Sequence, residues 1–183
     1  MRVAAERQLE SSLTLVLEHV NEEFTAAHYE LYPERVGEHI PPSITLLYPW
    51  KPPAEITDPD LERLREFFGS RSPLEFSLTR VTEFPGIVVY AVPEPDDDLR
   101  SLMRDLWVEW PDYPPYGQEG FDPPPHATLG RAEPEREDAI TVEQAQARIG
   151  HLLPLTCDVR EVTLMEMYEL DRWRVREAFP LAA

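Results

Sequence analysis

From 11 to 20 the chain reads SSLTLVLEHV, an unbroken apolar run rich in branched residues, which predicts a strand. NEEFTAAHYELYPE follows, with Asn21 placed as an N-cap and Phe24, Ala27, Tyr29 and Leu31 as apolar positions of a helix. Pro41 and Pro42 break the chain, SITLLY predicts a short strand, and 50–53 predicts a turn. Over 57–68, Leu61, Leu64, Arg65 and Phe68 share one helical face, with Asp60 and Glu62 near the positive end. LEFSLTRV alternates apolar and polar, FPG turns, and IVVYAV returns, so 74–92 predicts a β-hairpin. PEPDDDLRSLMRDLWVEW predicts a helix with the stripe Leu99, Leu102, Met103, Leu106, Trp107 and Trp110. PDYPPYGQEGFDPPP is a long loop whose aromatics, Tyr113, Tyr116 and Phe121, either pin it to the body or wall a pocket. HATLGR predicts a strand, 135–149 a helix, 152–168 one or two strands, and 172–179 a last strand closing a hairpin over Leu170 and Asp171.

PPSITLLYPW and PPPHATLGR share Pro-x-x-Thr-Leu, aligned on Thr45 and Thr128, 83 residues apart. Each copy precedes a helix and then a hairpin. The pattern predicts an α+β fold, one domain over 1–183 with two similar, mainly antiparallel lobes.

Composition narrows the partners. The net charge of −18 argues against long nucleic acid, which needs a basic face, although a local basic pocket remains compatible with it. A single cysteine, Cys157, excludes an internal disulfide and reads as a buried strand residue. No stretch approaches the roughly 20 apolar residues of a transmembrane helix, and MRVAAERQLE does not resemble a signal peptide. The expectation is a cytoplasmic, monomeric chain with no membrane contact, no metal site and no cofactor.

His126 and Thr128 lie on one side of their strand, about 7 Å apart, where an imidazole and a hydroxyl can hold one anionic group between them. The hydroxyl donates to a phosphoryl oxygen; the imidazole exchanges a proton near neutral pH. A lone His-x-Thr is nevertheless a very weak signal, and taken alone it reads first as an ordinary strand histidine.

Taken together, PPSITLLYPW, VTEFPGIVVYAVPEP, YPPYGQEGFDPPPHATLGR and LMEMYELDRWRVREAFPL resemble the two-histidine (2H) phosphoesterase superfamily, specifically its bacterial RNA 2′,5′-ligase-like branch. The resemblance implies a bilobal fold with a central cleft and two facing His-x-Thr/Ser motifs. It implies metal-independent chemistry on 2′,3′-cyclic phosphates or 2′,5′ linkages, one histidine serving as base and the other as acid. Carried onto this chain, the second motif is His126 and Thr128; the first keeps Thr45 but has Ser43 where the family has histidine.

Serine does not titrate near pH 7 but still donates a hydrogen bond to phosphate. Three readings follow: a phosphodiesterase with a substitute proton carrier, a cleft that binds a small phosphorylated or nucleotide ligand without turnover, or a scaffold turned to another small-molecule reaction. A structural module in which His126 is incidental is a fourth. His39 is the first candidate substitute; His28, in a helix, and His19, at a strand end, are weaker, and His151 reads as a capping or surface residue. Tyr48, Tyr116, Tyr168 and Arg174 are candidate ligand contacts, against the plainer reading of packing aromatics and a solvated arginine. Trp50 reads as lobe packing and Arg131 as a surface residue facing away from His126.

Overall fold

The computed structural model describes residues 8–182, so the reading of the first residues as lacking a signal peptide lies outside it. Eight strands form one curled antiparallel sheet: β1 Ser11–Val16, β2 Ser43–Leu47, β3 Leu74–Phe84, β4 Val88–Glu94, β5 Ala127–Arg131, β6 Leu155–Val159, β7 Glu161–Glu169 and β8 Arg172–Pro180. Their order across the sheet is β6-β3-β4-β5-β2-β1-β7-β8. The two motif strands, β5 and β2, are therefore the central pair, and each half of the sheet is a four-stranded lobe.

The lobes join at a narrow seam, with Ile44 of β2 opposite Ala127 of β5. The halves of the sequence do not map onto the lobes. The β3–β4 hairpin, which follows β2 in the chain, pairs with β5, while the β7–β8 hairpin, which follows β5, pairs with β1 beside β2. The lobes are interleaved.

The helices are α1 Glu22–Leu31, α2 Glu34–Glu38, α3 Asp58–Gly69, α4 Asp97–Glu109 and α5 Val142–Ile149. Helices α1 and α5 pack behind the β5 lobe, and α3 and α4 behind the β2 lobe. Their starts follow from capping: the Asn21 side chain accepts from the Phe24 N–H at 2.9 Å, and Thr57 with Asp60, and Thr141 with Gln144, form capping boxes.

Three expectations need correction. The helix expected from 135 begins only at Val142, because 133–140 is a turn-rich segment in which Arg136 ties Asp138 and Glu34. The first strand ends at Val16 rather than Val20, because the chain turns there before the Asn21 cap. His126 precedes β5 rather than opening it. Helix α2 was not expected at all; five residues give too little periodicity to read.

One large core, from Leu13, Leu15, Ile44, Leu64, Phe68, Leu106, Leu129, Ile149 and their neighbours, lies between the sheet and the helices. Cys157 is buried in it. A second, smaller cluster of Met165, Met167 and Trp173, with Leu9, Ile40 and Tyr48 against it, sits apart from that core. Among the described residues, no helix is long and apolar enough to cross a membrane.

Candidate active site

Ile44 and Ala127 are buried in the core, so the residues flanking them point to the opposite, concave face. Ser43, Thr45, His126 and Thr128 therefore share that face. The antiparallel register puts Ser43 across from Thr128 and Thr45 across from His126, with directly opposed Cβ atoms about 4.5–5.5 Å apart in such pairs.

His126 is buried, only 8% exposed. Its ring meets Phe84 edge-on at 5.1 Å and Tyr90 at 5.5 Å, and those two rings stack at 4.4 Å. Nδ1 lies 2.8 Å from the Pro124 carbonyl oxygen. A carbonyl only accepts, so Nδ1 carries the proton and Nε2 keeps its lone pair. Burial holds the His126 pKa below the ordinary histidine value, and the Pro124 carbonyl pulls it part of the way back. At neutral pH the ring is an uncharged proton acceptor. The prolines before it fix the carbonyl that sets this tautomer.

Thr45 is reached by the long loop. Tyr116 sits in left-handed backbone, φ 54°, and its N–H donates to the Tyr48 carbonyl at 2.6 Å. Burial raises the Tyr116 pKa, while the Thr45 hydroxyl at its phenol and the charge of Arg35 act in the other direction. Tyr116 also packs edge-on against Tyr48 and Phe121, each at 6.0 Å. The Tyr48 hydroxyl donates to Glu10, and its ring lies 6.2 Å from Trp173. Trp50, by contrast, belongs to the core, against Trp110 and Tyr113.

His39, Arg174 and Tyr168 lie further out on the β2 lobe. His39 and Arg174 line a groove of about 450 Å³ together with Arg35, Val36, Met165, Trp173 and others. None of the four motif residues lines this groove. The Tyr168 hydroxyl is 3.5 Å from His39 Nδ1. Arg174 donates to the buried Glu166 at 2.7 Å, and Arg176 donates to the other oxygen of that carboxylate at 2.8 Å. Arg174 thus keeps an ion pair with Glu166 through Nε and Nη2, while its side chain remains 61% exposed.

Sequence reasoning gave little weight to two residues. His28 is 3% exposed on the buried face of α1 with Phe24 and Ala27. The carbonyls of Ile40 and Thr128 lie near its ring, yet neither nitrogen reaches a partner in good hydrogen-bond geometry. Burial, helped by the Arg35 charge, pushes its pKa down to about 4. Its spacing from Phe24 was the available signal. Arg35, in the unexpected α2, carried no signal. Arg131 is half-buried rather than at the open surface, held by Glu34 at 2.9 Å. His151 pairs with Glu23 on the exposed side of the helices. Among the described residues, no group of three or more His, Cys, Asp or Glu side chains is arranged to hold a metal ion.

Two four-stranded lobes joined at a seam between β2 and β5 are the fold of the 2H phosphoesterases. The chain belongs to the 2′-5′ RNA ligase superfamily, whose sequence signature matches residues 16–171. A Geobacillus kaustophilus (strain HTA426) protein provisionally named a phosphoesterase is 28% identical over 153 residues, 81% of this chain and 84% of that one. The crystal structure of a phosphoesterase superposes with a TM-score of 0.63 at 16% identity, over 97% of this chain and 100% of that one. Escherichia coli LigT, solved in complex with 3′-AMP, superposes with a TM-score of 0.59 at 17% identity, over 97% of this chain and 100% of LigT. LigT has also been solved with NADP+ and with ATP.

Proposed function

We propose that this chain is a phosphodiesterase-like protein, acting without a metal ion on a small nucleotide, a 2′,3′-cyclic phosphate or a 2′,5′ linkage, with acid–base machinery altered at Ser43. The observation that carries the reading is the common face of His126, Thr128, Thr45 and Ser43, with the His126 Nε2 lone pair available on a neutral ring. The hydroxyls of Thr45, Thr128 and Ser43 donate to phosphoryl oxygens. His126 Nε2 takes a proton from water as the water oxygen bonds to phosphorus. The bond from phosphorus to the ester oxygen breaks, and that oxygen takes a proton from solvent or from a group of the adjoining groove. The nucleotide complexes of LigT support the ligand class.

Losing one member of an acid–base pair costs about 10²–10⁴-fold in rate. The test is turnover of 2′,3′-cyclic nucleotides and 2′,5′-linked dinucleotides without added metal, comparing wild type, His126→Ala and Ser43→His. Turnover by the wild type that His126→Ala removes supports an enzyme with a substitute acid, and His39 is the next residue to change. No turnover of any substrate by the wild type, with activity in Ser43→His alone, rejects the hydrolase in favour of a second reading, a nucleotide-binding protein. That reading is favoured by one observation: the group across the seam from Thr128 is a serine hydroxyl, which does not titrate near neutrality.

A further inference from the structure

The long loop before β5 is fastened to the chain just past β2. The Tyr116 N–H donates to the Tyr48 carbonyl at 2.6 Å, and Tyr48 lies three residues beyond Thr45. Tyr116 holds left-handed backbone, φ 54° and ψ 26°, with Gly117 after it at φ 67°. A bulky side chain rarely takes that conformation, and such positions cluster at functional sites. The Tyr116 ring is edge-on to Tyr48 and to Phe121, each at 6.0 Å, and stays half-buried. Its phenol meets the Thr45 hydroxyl.

Thr45 is the residue across the seam from His126. The loop therefore brings a proton-bearing group to the β2 side of the face, and that side carries Ser43 in place of an imidazole. His39 lines the neighbouring groove, which none of the four motif residues lines. Cleaving a phosphodiester with water takes two proton transfers, one from the water and one to the ester oxygen that leaves. His126 accounts for the first.

We infer that the Tyr116 phenol gives its proton to the leaving ester oxygen, as the catalytic acid that replaces the missing histidine. The inference rests on the motif reading above and assigns its second proton transfer to a side chain of the loop. His126 Nε2 takes a proton from water as the water oxygen bonds to phosphorus. The bond from phosphorus to the ester oxygen breaks, and that oxygen takes the Tyr116 proton. The imidazolium then returns a proton to the phenolate through solvent, so one water is consumed and both side chains are restored. Thr45 donates to the phosphoryl group while the phenol beside it keeps its own O–H for the ester oxygen. Burial raises the Tyr116 pKa, so the phenol holds its proton wherever neutral His126 acts as base. An alkoxide is a stronger base than a phenolate, so the transfer runs downhill once the ester bond breaks. A phenol is a weaker acid than an imidazolium, so Tyr116 restores only part of the rate and Ser43→His still gains.

The experiment follows steady-state hydrolysis of two diesters by the full chain without added metal. One is 2′,3′-cyclic AMP, which expels a ribose alkoxide. The other is bis(p-nitrophenyl) phosphate, which expels p-nitrophenolate, a leaving group stable without a proton. The variants are Tyr116→Phe and His126→Ala. Phenylalanine keeps the ring against Tyr48 and Phe121, so the fold should persist, and a thermal melt checks it. Tyr116→Phe should lower kcat on the cyclic nucleotide by about 10²-fold with KM little changed, and lower the p-nitrophenyl rate by less than about fivefold. His126→Ala should lower both rates. Equal losses on the two substrates in Tyr116→Phe, or no loss on either, overturn the acid assignment while the motif reading stands. Turnover that survives His126→Ala, or none by the wild type on either substrate, removes the motif reading and this inference with it.

Discussion

Phe84 meets the imidazole of His126 edge-on, with the ring centroids 5.1 Å apart and the planes at 84°. Phe84 and Tyr90 bury the ring, and burial lowers the His126 pKa. The neutral form, with its lone pair on Nε2, is therefore the resting form. Activity or phosphate-site function that needs this base should be flat through neutral pH and fall on the acid side, with a midpoint below the ordinary 6.5. Phe84→Ala admits water, and the midpoint should move up toward 6.5. An NMR titration of the His126 ring in the two proteins measures both; a wild-type midpoint above 6.5 contradicts the geometry.

Ser43→His places an imidazole across the seam from Thr128 and diagonally from His126. Ser43 is only half-buried, so the larger side chain has room on the concave face. Turnover of 2′,3′-cyclic nucleotides should rise by about 10²–10⁴-fold over the wild type. Steady-state rates on the purified pair decide it. Equal rates would mean that another group already supplies the second proton transfer.

His28 should make the protein acid-sensitive. Its pKa falls from 6.5 to about 4 on folding, so below 6.5 the unfolded chain binds a proton that the folded one refuses. Stability therefore drops as pH falls from 6.5 toward 4, by about 3 kcal/mol over the window. His28→Leu removes the titrating group and two unpartnered buried nitrogens. Urea melts at pH 7 and pH 4.5 should show a smaller loss in the leucine variant. An identical loss would assign the acid sensitivity to carboxylates elsewhere.

Gly130 marks the close approach of α1 to β5, just beyond the motif. A Cβ there would lie 2.5 Å from Ile140 Cδ1 and 3.0 Å from the Leu31 carbonyl oxygen. Ile140 can give way, but the carbonyl belongs to the helix end. Gly130→Ala should destabilise by about 1–3 kcal/mol, and adding Ile140→Val should recover part of it. Thermal melts of the single and double variants test this, and a neutral single variant would show that α1 can shift freely on the strand.

Much of this was legible in the chain because the signals were local. The alternation of LEFSLTRV against IVVYAV became the β3–β4 hairpin, and the stripe from Leu99 to Trp110 became the buried side of α4. The repeated Pro-x-x-Thr-Leu pointed to the two strands that meet at the seam. What stayed hidden depended on distance. Nothing near residue 35 announces that a five-residue helix will hold an arginine where its charge reaches Tyr116. The tautomer of His126 depends on the direction of one proline carbonyl, and its burial on Phe84 and Tyr90, aromatics some 40 residues earlier in the chain. The segment from 135 read as a helix start because acidic residues suit one, but Arg136 pairs with Asp138 and with Glu34 instead.

The interleaving of the lobes also bears on how the chain reaches this state. A nascent chain that has emerged as far as Glu94 holds β1 to β4 but lacks the inner and outer strands of one lobe and the outer pair of the other. Neither half can close its sheet until residues past 127 and 164 arrive to pair with Ile44 and Leu13. Such long-range closure favours slow folding, with unpaired strand edges exposed meanwhile. It also means that cutting the chain between its two repeats yields no half-sized domain, only two fragments that must find each other.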